Sequence, residues 1–273
     1  MVPRTRDAGP WARAGRLTLP RLAGPTQPAV PGIWELALGP LDDTSRPAAA
    51  ARRLRQSIEI GLLPHGARLP PESELAAQLG VSLVTLRSAL AILREQRLIE
   101  TRRGRTGGNF VVLPDNPDHR LLEQKLMRLD IDAIRDRRDY HMAIAGKAAE
   151  LAAERARGGV LTRLQDAAAA IAEAETSTAA IHLDSRFHLQ LAASTRSAML
   201  TRAELAVQNE LAPLLWIPGL ECQTVDEARA AHQVITDAIA GRDRSTARAA
   251  AEQHVASTLN QLIAERMHLS EDA

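Results

Sequence analysis

The sequence predicts a mainly α-helical protein with one small β-hairpin, divided into two domains. Apolar residues recur at helical spacing along most of the chain, and Gly or Pro residues interrupt this pattern at short intervals. Two short strand-like runs, at 98–102 and 109–113, flank a turn that is rich in Gly and Arg. A length of 273 residues is sufficient for two domains that each have a core.

Residues 1–32 precede the first predicted element and are rich in Pro, with no helical or strand period. This composition is typical of a disordered extension. Its arginines would suit a polyanionic partner, but an inert tail explains them equally well. The segment also lacks the apolar stretch of a signal peptide, so we expect none.

Three helices are predicted next. The first spans about 48–60, and its apolar residues lie roughly on one stripe: Leu54, Ile58 and Leu62. A short helix then begins at Pro70-Pro71, because proline is tolerated in a first helical turn, and Gly80 ends it as a C-cap. Ser82 occupies the N-cap position of the third helix. The inward-facing positions of that helix are Leu86, Leu90 and Leu93.

The third helix and the hairpin together suit contact with nucleic acid. Short polar and basic side chains near a helix N-terminus fit base edges and flanking phosphates in the major groove. In the hairpin, Gly permits a tight turn and Arg reaches phosphates or the minor groove. The predicted DNA contacts are Ser82, Thr85, Arg87, Ser88, Arg103, Gly104, Arg105, Gly107 and Gly108.

The order of these elements is typical of a winged helix-turn-helix, which places one helix in a groove of double-stranded DNA. Such a module can also serve only to bind protein, but the Arg-rich turn favours DNA. The charge distribution agrees with this interpretation. Residues 1–115 hold 16 Arg and 10 acidic residues, a net charge of +6, whereas residues 116–273 carry a net charge of −5.

This segment resembles the DNA-binding domain of the GntR family of bacterial transcription regulators, over roughly sixty residues. The matching residues are Gly61, Leu69-Pro70-x-Glu72, Glu74-Leu75-Ala76, Leu79-Gly80-Val81-Ser82, Leu86-Arg87, Ala89-Leu90, Arg103-Gly104-Arg105, Gly107-Gly108 and Phe110-Val111. The family often has Arg at the positions of Ser73 and Leu83, and more commonly has Gly and Thr at those of Arg97 and Asn109. The resemblance implies a DNA-binding regulator, and the departures imply an unusual operator sequence.

The second half of the chain, residues 115–273, is predicted to be an all-α bundle that follows a DNA-binding domain over 33–114. Amphipathic stretches rich in Ala and Leu are separated by short polar or Gly turns, without an alternating strand pattern of useful length. We place helices near 119–129, 131–157, 160–175, 178–194, 198–215, 225–240 and 244–266.

Four polar residues of this bundle have a spacing that can bring them together. Asp184 and His188 are four residues apart, and therefore lie on one helix face. His232 and His254 flank the predicted turn at Gly241, each about 14–16 Å from it, so an antiparallel helix pair brings them level. One carboxylate and three imidazoles suit a divalent ion such as Zn, Ni or Mn. Histidines packed in a core without a metal remain the alternative.

This half resembles the FCD domain, the C-terminal effector domain of the FadR subfamily within the GntR family. The Asp-x-x-Phe-His motif of that domain is matched by Asp184, Phe187 and His188, and its later histidines by His232 and His254. The resemblance implies that the Asp and the three His bind a metal, which often helps to hold a small carboxylate effector. The histidines that match nothing in this pattern are expected at the surface: His119, His182 and His268.

One departure concerns the effector. Members of this family commonly carry an Arg and a Glu ahead of an Ala-x-Leu-Ala-Ala stretch, and the Arg usually helps to bind the effector carboxylate. Residues 149–153 match that stretch, but His141 and Ala145 stand where the Arg and the Glu would. His141 can substitute as an effector-binding residue, with Arg138 nearby, or it can be purely structural. The sequence leaves both interpretations open.

The combined prediction is a cytoplasmic, nucleoid-associated homodimer that is not an enzyme, binds a pseudo-palindromic operator and responds to a small carboxylate. One cysteine, Cys222, fits a reducing compartment, and no apolar run approaches the length of a membrane span. A metal-dependent hydrolase lacks a convincing general base, since Glu204 and Glu210 belong to no motif. A constitutive dimeric DNA-binding scaffold explains the fold without the ligand set, and remains an alternative.

Overall fold

The computed structural model describes residues 33, 37–39, 47–104, 107–113, 118–217 and 222–271. In these residues we find ten α-helices, one short 3-10 helix and one two-stranded antiparallel sheet. The predicted fold class, mainly α with a small hairpin, is therefore confirmed. The extension predicted over 1–32 lies outside the described residues.

The N-terminal elements follow the predicted order. They are α1 (Pro47–Glu59), α2 (Glu72–Leu79), α3 (Leu83–Glu95), β1 (Ile99–Arg102) and β2 (Gly108–Val111). Gly80 ends α2 in the left-handed conformation, with a φ of 65°. Ser82 caps α3, because its side-chain oxygen accepts a hydrogen bond of 3.1 Å from the backbone N–H of Thr85. Both predicted caps are present, and they set the turn between the two helices.

The helices α2 and α3 meet at 102°, which is the kind of angle that a helix-turn-helix requires, about 90–120°. This bent pair passes a test of length and composition for a membrane span, but no single helix in the described part of the chain does. Its apolar residues belong to a core shared with α1 and the hairpin: Leu54, Ile58, Leu75, Leu79, Leu86, Leu90, Leu93, Ile99 and Val111. The predicted inward face of α3 is therefore confirmed.

Seven further helices form the C-terminal bundle. They are α4 (His119–Met127), α5 (Ile131–Arg155), α6 (Gly159–Ala170), α7 (Ser177–Ser194), α8 (Ala198–Leu215), α9 (Val225–Ala240) and α10 (Arg244–Glu271). Their ends agree with the predicted ends within a few residues. The 3-10 helix Ile171–Glu173 continues α6, and α10 runs on to Glu271.

The bundle packs closely because small residues line its helix contacts. Alanines make up much of the buried core, and α5 packs most extensively against α10. Gly146 of α5 lies so near Glu252 of α10 that an added Cβ would stand 2.5 Å from the Glu252 Oε1 atom. This packing brings α7 against α5 and α8, and α9 against α10. The three helices that carry the predicted ligands, α7, α9 and α10, are thereby held together with their neighbours α5 and α8.

The histidines expected at the surface behave differently from one another. His119 and His268 are exposed, as predicted. The prediction was wrong for His182, which is half-buried on α7 against the loop that follows α1. A Cβ added to Gly61 would lie only 2.4 Å from the His182 Cγ atom, and Gly61 has a φ of 76°. Burial lowers the pKa of His182 to about 4. Sequence spacing could not reveal this contact, because it joins residues that are far apart in the chain.

Candidate metal centre and nucleic-acid interface

The bundle brings the four predicted metal ligands to one point. Asp184 and His188 lie on α7, His232 on α9 and His254 on α10. Each offers one ligand atom, and these four atoms all lie within 4.8 Å of one another. The His232 Nε2 atom is 3.3 Å from Asp184 Oδ1, and the Nε2 atoms of His188 and His254 face each other at 3.4 Å. An Asp and three His at this separation can hold a divalent ion.

These side chains are deeply buried but incompletely paired. Asp184 and His232 are 1% and 0% exposed. Among the described residues, neither Asp184 Oδ1 nor either ring nitrogen of His232 has a hydrogen-bond partner of good geometry. Buried polar atoms without partners are costly, and one cation between them would satisfy several at once. The donor set therefore fits a metal ion.

The electrostatics of the cluster favour the protonation states that a metal requires. Burial lowers the pKa of His188 to about 4, although the Asp184 and Glu204 carboxylates oppose that shift. Burial, together with the neighbouring imidazoles, also places the pKa of His254 well below its ordinary value. Burial alone would raise the pKa of Asp184, but the nearby imidazoles hold it below its usual range. Neutral imidazoles beside an ionised carboxylate are the forms that ligate divalent ions.

Neighbouring groups pack against the His232 ring and bind its backbone. The Phe187 ring stacks on it, with ring centroids 3.7 Å apart. The Thr236 hydroxyl donates a hydrogen bond of 3.0 Å to the backbone carbonyl of His232, one turn earlier on α9. Phe187 directly precedes the candidate ligand His188, so one short segment of α7 both carries a candidate ligand and packs against the site.

A second polar cluster adjoins the first. The sequence did not predict that its members lie together. The His141 Nε2 atom of α5 lies 3.1 Å from the Oε1 atom of Glu204 on α8. The same oxygen accepts a hydrogen bond of 2.8 Å from the Gln208 side chain. The Gln208 oxygen in turn accepts one of 3.0 Å from the Ser185 hydroxyl. The available signal was weak: two polar residues four apart on an otherwise apolar stretch of α8.

The two predicted effector contacts occupy different surroundings. His141 is buried and faces the Glu204 carboxylate. Arg138 donates to Asp139 and, at 2.8 Å, to the Asn260 side chain of α10. Each of these two side chains therefore already has protein partners, and the His141 ring also lies against the ring of the candidate ligand His188, with centroids 5.5 Å apart.

The predicted DNA contacts of α3 lie on its accessible side. Arg87 and Ser88 are exposed, and Thr85 is half-buried beside its cap Ser82. The Arg87 guanidinium forms an ion pair with Glu72 of α2, with Nε and Oε2 2.8 Å apart. This pair links the two helices of the helix-turn-helix while leaving the Arg87 side chain 66% exposed.

The turn of the hairpin uses glycine as predicted. Gly104 and Gly108 have φ values of 104° and 149°, which other residues rarely adopt. The backbone N–H of Gly107 donates a hydrogen bond of 2.9 Å to the Gly104 carbonyl. Arg103 is exposed at the tip, whereas the predicted contact Arg105 lies outside the described residues.

An open cleft beside the hairpin is lined by two basic side chains that were not among the predicted DNA contacts, Arg68 and Arg94. It has a volume of about 240 Å³ and is lined by residues of α2, α3 and both strands, including Arg68, Arg94, Thr101 and Asn109. Arginine and short polar side chains are the groups that most often contact DNA phosphates.

Comparison with known proteins agrees with these features. Residues 48–108 match the model of the bacterial regulatory proteins of the gntR family, and residues 136–257 match the FCD domain. The chain is 38% identical over 225 residues to the putative HTH-type transcriptional regulator RmpR of Mycobacterium gastri, covering 82% of each protein. It is 30% identical over 217 residues to the putative L-lactate dehydrogenase operon regulatory protein of Escherichia coli (strain K12), covering 75% of this chain and 81% of that one.

Among solved structures, a GntR family regulator from Pseudomonas syringae pv. tomato str. DC3000 covers 88% of this chain and 95% of its own, with 22% identity and a TM-score of 0.45. The two family matches and the two sequence relatives define a helix-turn-helix transcription regulator. The chain belongs to the gntR family of bacterial regulatory proteins, and its helical half is an FCD effector-binding domain.

Proposed function

We propose that this regulator binds a pseudo-palindromic operator as a homodimer, and that a small carboxylate bound at a metal in the FCD domain controls that binding. The observation that carries the proposal is the buried cluster of Asp184, His188, His232 and His254, whose ligand atoms lie within 4.8 Å of one another. These residues would hold one Zn, Ni or Mn ion. When bound, the ion supplies a Lewis-acidic position for an anionic oxygen of the effector.

DNA recognition is assigned to α3 and the hairpin. Ser82, Thr85, Arg87 and Ser88 would face the major groove, and the Gly/Arg turn would approach the phosphates or the minor groove. The exposure of Leu83 and Val84, at 42% and 74%, supports a further apolar contact. Such side chains suit the methyl group of thymine. The operator would then differ from those read by relatives that carry Arg at the position of Leu83.

The division of the chain into a DNA-binding domain over 33–114 and an effector and dimerisation domain over 115–273 is part of this proposal. Two separate apolar clusters support it. We assign the metal cluster to sensing and not to turnover, because Glu204, the carboxylate beside it, is engaged by His141 and Gln208. Binding to chromosomal DNA places the protein in the bacterial cytoplasm.

One observation favours a second candidate, a constitutive dimeric regulator without a carboxylate effector. The two side chains predicted to bind the carboxylate, Arg138 and His141, already have protein partners. An effector carboxylate would therefore have to compete with these partners for the two side chains. Effector binding by Arg138 and His141 therefore requires both to exchange their present contacts.

Elemental analysis and thermal melting test the metal centre. Protein purified without chelator should carry one divalent ion per chain, and addition of Zn, Ni or Mn to stripped protein should raise its melting temperature, because the ion binds only the folded state. His232→Ala and His254→Ala should abolish that rise, whereas His268→Ala, which alters an exposed histidine, should preserve it. A wild-type protein that carries no metal, and whose melting does not respond to these ions, would show that the cluster is only a polar core.

Operator binding measured with and without the ion, and across a panel of small mono- and dicarboxylates, then separates the two candidates. A change of affinity with one carboxylate supports the controlled regulator. Equal affinity in every condition supports the constitutive one.

A further inference from the structure

His188 stands between the two polar clusters and faces each with a different ring nitrogen. Its Nε2 atom is directed at the four-ligand cluster, 3.9 Å from Asp184 Oδ1 and 3.4 Å from the Nε2 atom of His254. Its Nδ1 atom is buried, has no hydrogen-bond partner in the described part of the chain, and lies 3.8 Å from the Oε1 atom of Glu204. Only one of these nitrogens carries a proton in a neutral imidazole, so the two clusters together decide which one.

Glu204 is held in a position from which it can determine which ring nitrogen of His188 carries the proton. Its side chain is 2% exposed, and its Oε1 atom has both His141 and Gln208 as partners. Ser185, on the same helix as His188, holds Gln208 from the other side. The carboxylate is therefore fixed in direction by groups from α5, α7 and α8.

We propose that Glu204 is a positioning residue of the metal centre: it keeps the proton of His188 on Nδ1 and leaves Nε2 free to ligate the ion. This inference rests on the proposed metal function. When a histidine binds a metal through one ring nitrogen, a carboxylate can accept a hydrogen bond from the N–H of the other. This contact fixes the tautomer and the orientation of the ring, and it makes the ligating nitrogen more basic. The present 3.8 Å between Nδ1 and Oε1 exceeds a hydrogen bond, so the proposal requires these two atoms to approach each other when the ion is bound.

A second ion between His141, His188 and Glu204 is the rival interpretation, since their ligand atoms also lie within 4.8 Å of one another. The hydrogen bond from Gln208 argues against it. The amide N–H group of Gln208 donates, from 2.8 Å away, to Oε1, which is the Glu204 oxygen that lies near both His141 and His188. A donor proton in that place repels a cation and supports a hydrogen-bonding role for the carboxylate.

The test compares full-length wild type with the Glu204→Gln variant. Their affinities for Zn²⁺ are measured by competition with a chromogenic chelator. We expect the variant to bind Zn²⁺ about 10- to 100-fold more weakly, because the amide is neutral and orients His188 poorly. Glu210→Gln is the matched control, since Glu210 lies on the same helix but pairs with Arg137. It should bind Zn²⁺ like the wild type. Glu204→Asp retains the charge and should recover part of the affinity, even if Glu204→Gln folds poorly.

A spectroscopic measurement separates positioning from a general structural role. In protein labelled with ¹⁵N-histidine and loaded with Zn²⁺, the His188 signals should report a protonated Nδ1 and a metal-bound Nε2. In Glu204→Gln this signature should weaken, while the apo variant keeps the far-ultraviolet circular dichroism of the wild type.

Three results would overturn the inference. Equal Zn²⁺ affinity in a folded Glu204→Gln variant would remove the role of Glu204 while leaving the metal centre intact. Two Zn²⁺ ions per wild-type chain would assign Glu204 to a second site. A wild type that binds no metal would remove both this inference and the proposed function.

Discussion

The side chain of Arg87 shows how one residue can serve two contacts. It pairs with Glu72 across the helix-turn-helix, and it remains largely exposed on the face of α3 that is predicted to meet DNA. An exposed ion pair contributes only about 0–1 kcal/mol to folding. A bidentate contact between an arginine and a guanine contributes about 1–3 kcal/mol to discrimination between bases. The larger effect of removing Arg87 should therefore fall on DNA binding.

We expect Arg87→Ala to weaken operator binding by about 1–3 kcal/mol at fixed salt, with little change in thermal stability. A gel-shift titration at one salt concentration measures the loss. Arg135→Ala, which removes an exposed arginine of α5 that pairs with Asp132, serves as the control. Unchanged affinity in Arg87→Ala would refute a base contact by this residue.

Residues that act through their chain neighbours could be predicted from the sequence, and those that act across the fold could not. Gly80 and Ser82 were predictable because each satisfies the helix end beside it. His232 and His254 were predictable because a single turn fixes their relative height. Glu204 and His182 were not, since their partners come from distant elements. The contact of Arg138 with Asn260 depends on how α10 packs against α5, and residue spacing in the sequence does not predict that packing.

At the scale of elements, the hairpin is built for a short and rigid turn. Its strands pair from Ile99 opposite Val111 to Arg102 opposite Gly108, and the Arg102 guanidinium lies 4.3 Å from the centre of the Phe110 ring. This support presents Gly104 and the exposed side chain of Arg103 away from the core. Such a turn suits phosphates, whose contacts make binding depend on salt.

The double substitution Arg103→Ala with Arg105→Ala should make operator binding less dependent on salt. The slope of log affinity against log salt concentration should become shallower by up to ~2, because each lost phosphate contact releases about one counterion fewer. Arg135→Ala with Arg229→Ala, two exposed arginines of the helical half, should leave the slope unchanged. An identical slope in the hairpin variant would exclude phosphate contacts by the turn.

At the scale of the whole molecule, the unequal charge of the two halves assigns them different partners. The first 115 residues carry a net charge of +6 and attract phosphate, whereas the remainder carries −5. We expect the acidic helical half to be the part that contacts a second copy, because its charge does not attract DNA. A single helix-turn-helix buries too little surface for tight and specific binding, so two modules on one two-fold site are needed.

We accordingly expect the full-length protein to be a dimer at micromolar concentration, both free and on the operator. Multi-angle light scattering and sedimentation of the protein and its DNA complex measure this directly. The DNA-binding variant Arg87→Ala should remain dimeric, because the subunit contact is assigned outside the DNA-binding half. A monomer that binds the operator with full affinity would contradict the dimer.

The contact between Gly61 and His182 constrains how such regulators can be recombined. Gly61 follows the first helix of the DNA-reading half, whereas His182 lies on α7, two residues before the ligand Asp184. Any side chain at position 61 would collide with the imidazole. A chimera that joins this DNA-reading half to the sensor half of a relative must therefore transfer both residues as a pair. Without the matched pair, we expect a changed fit between the two halves at this contact.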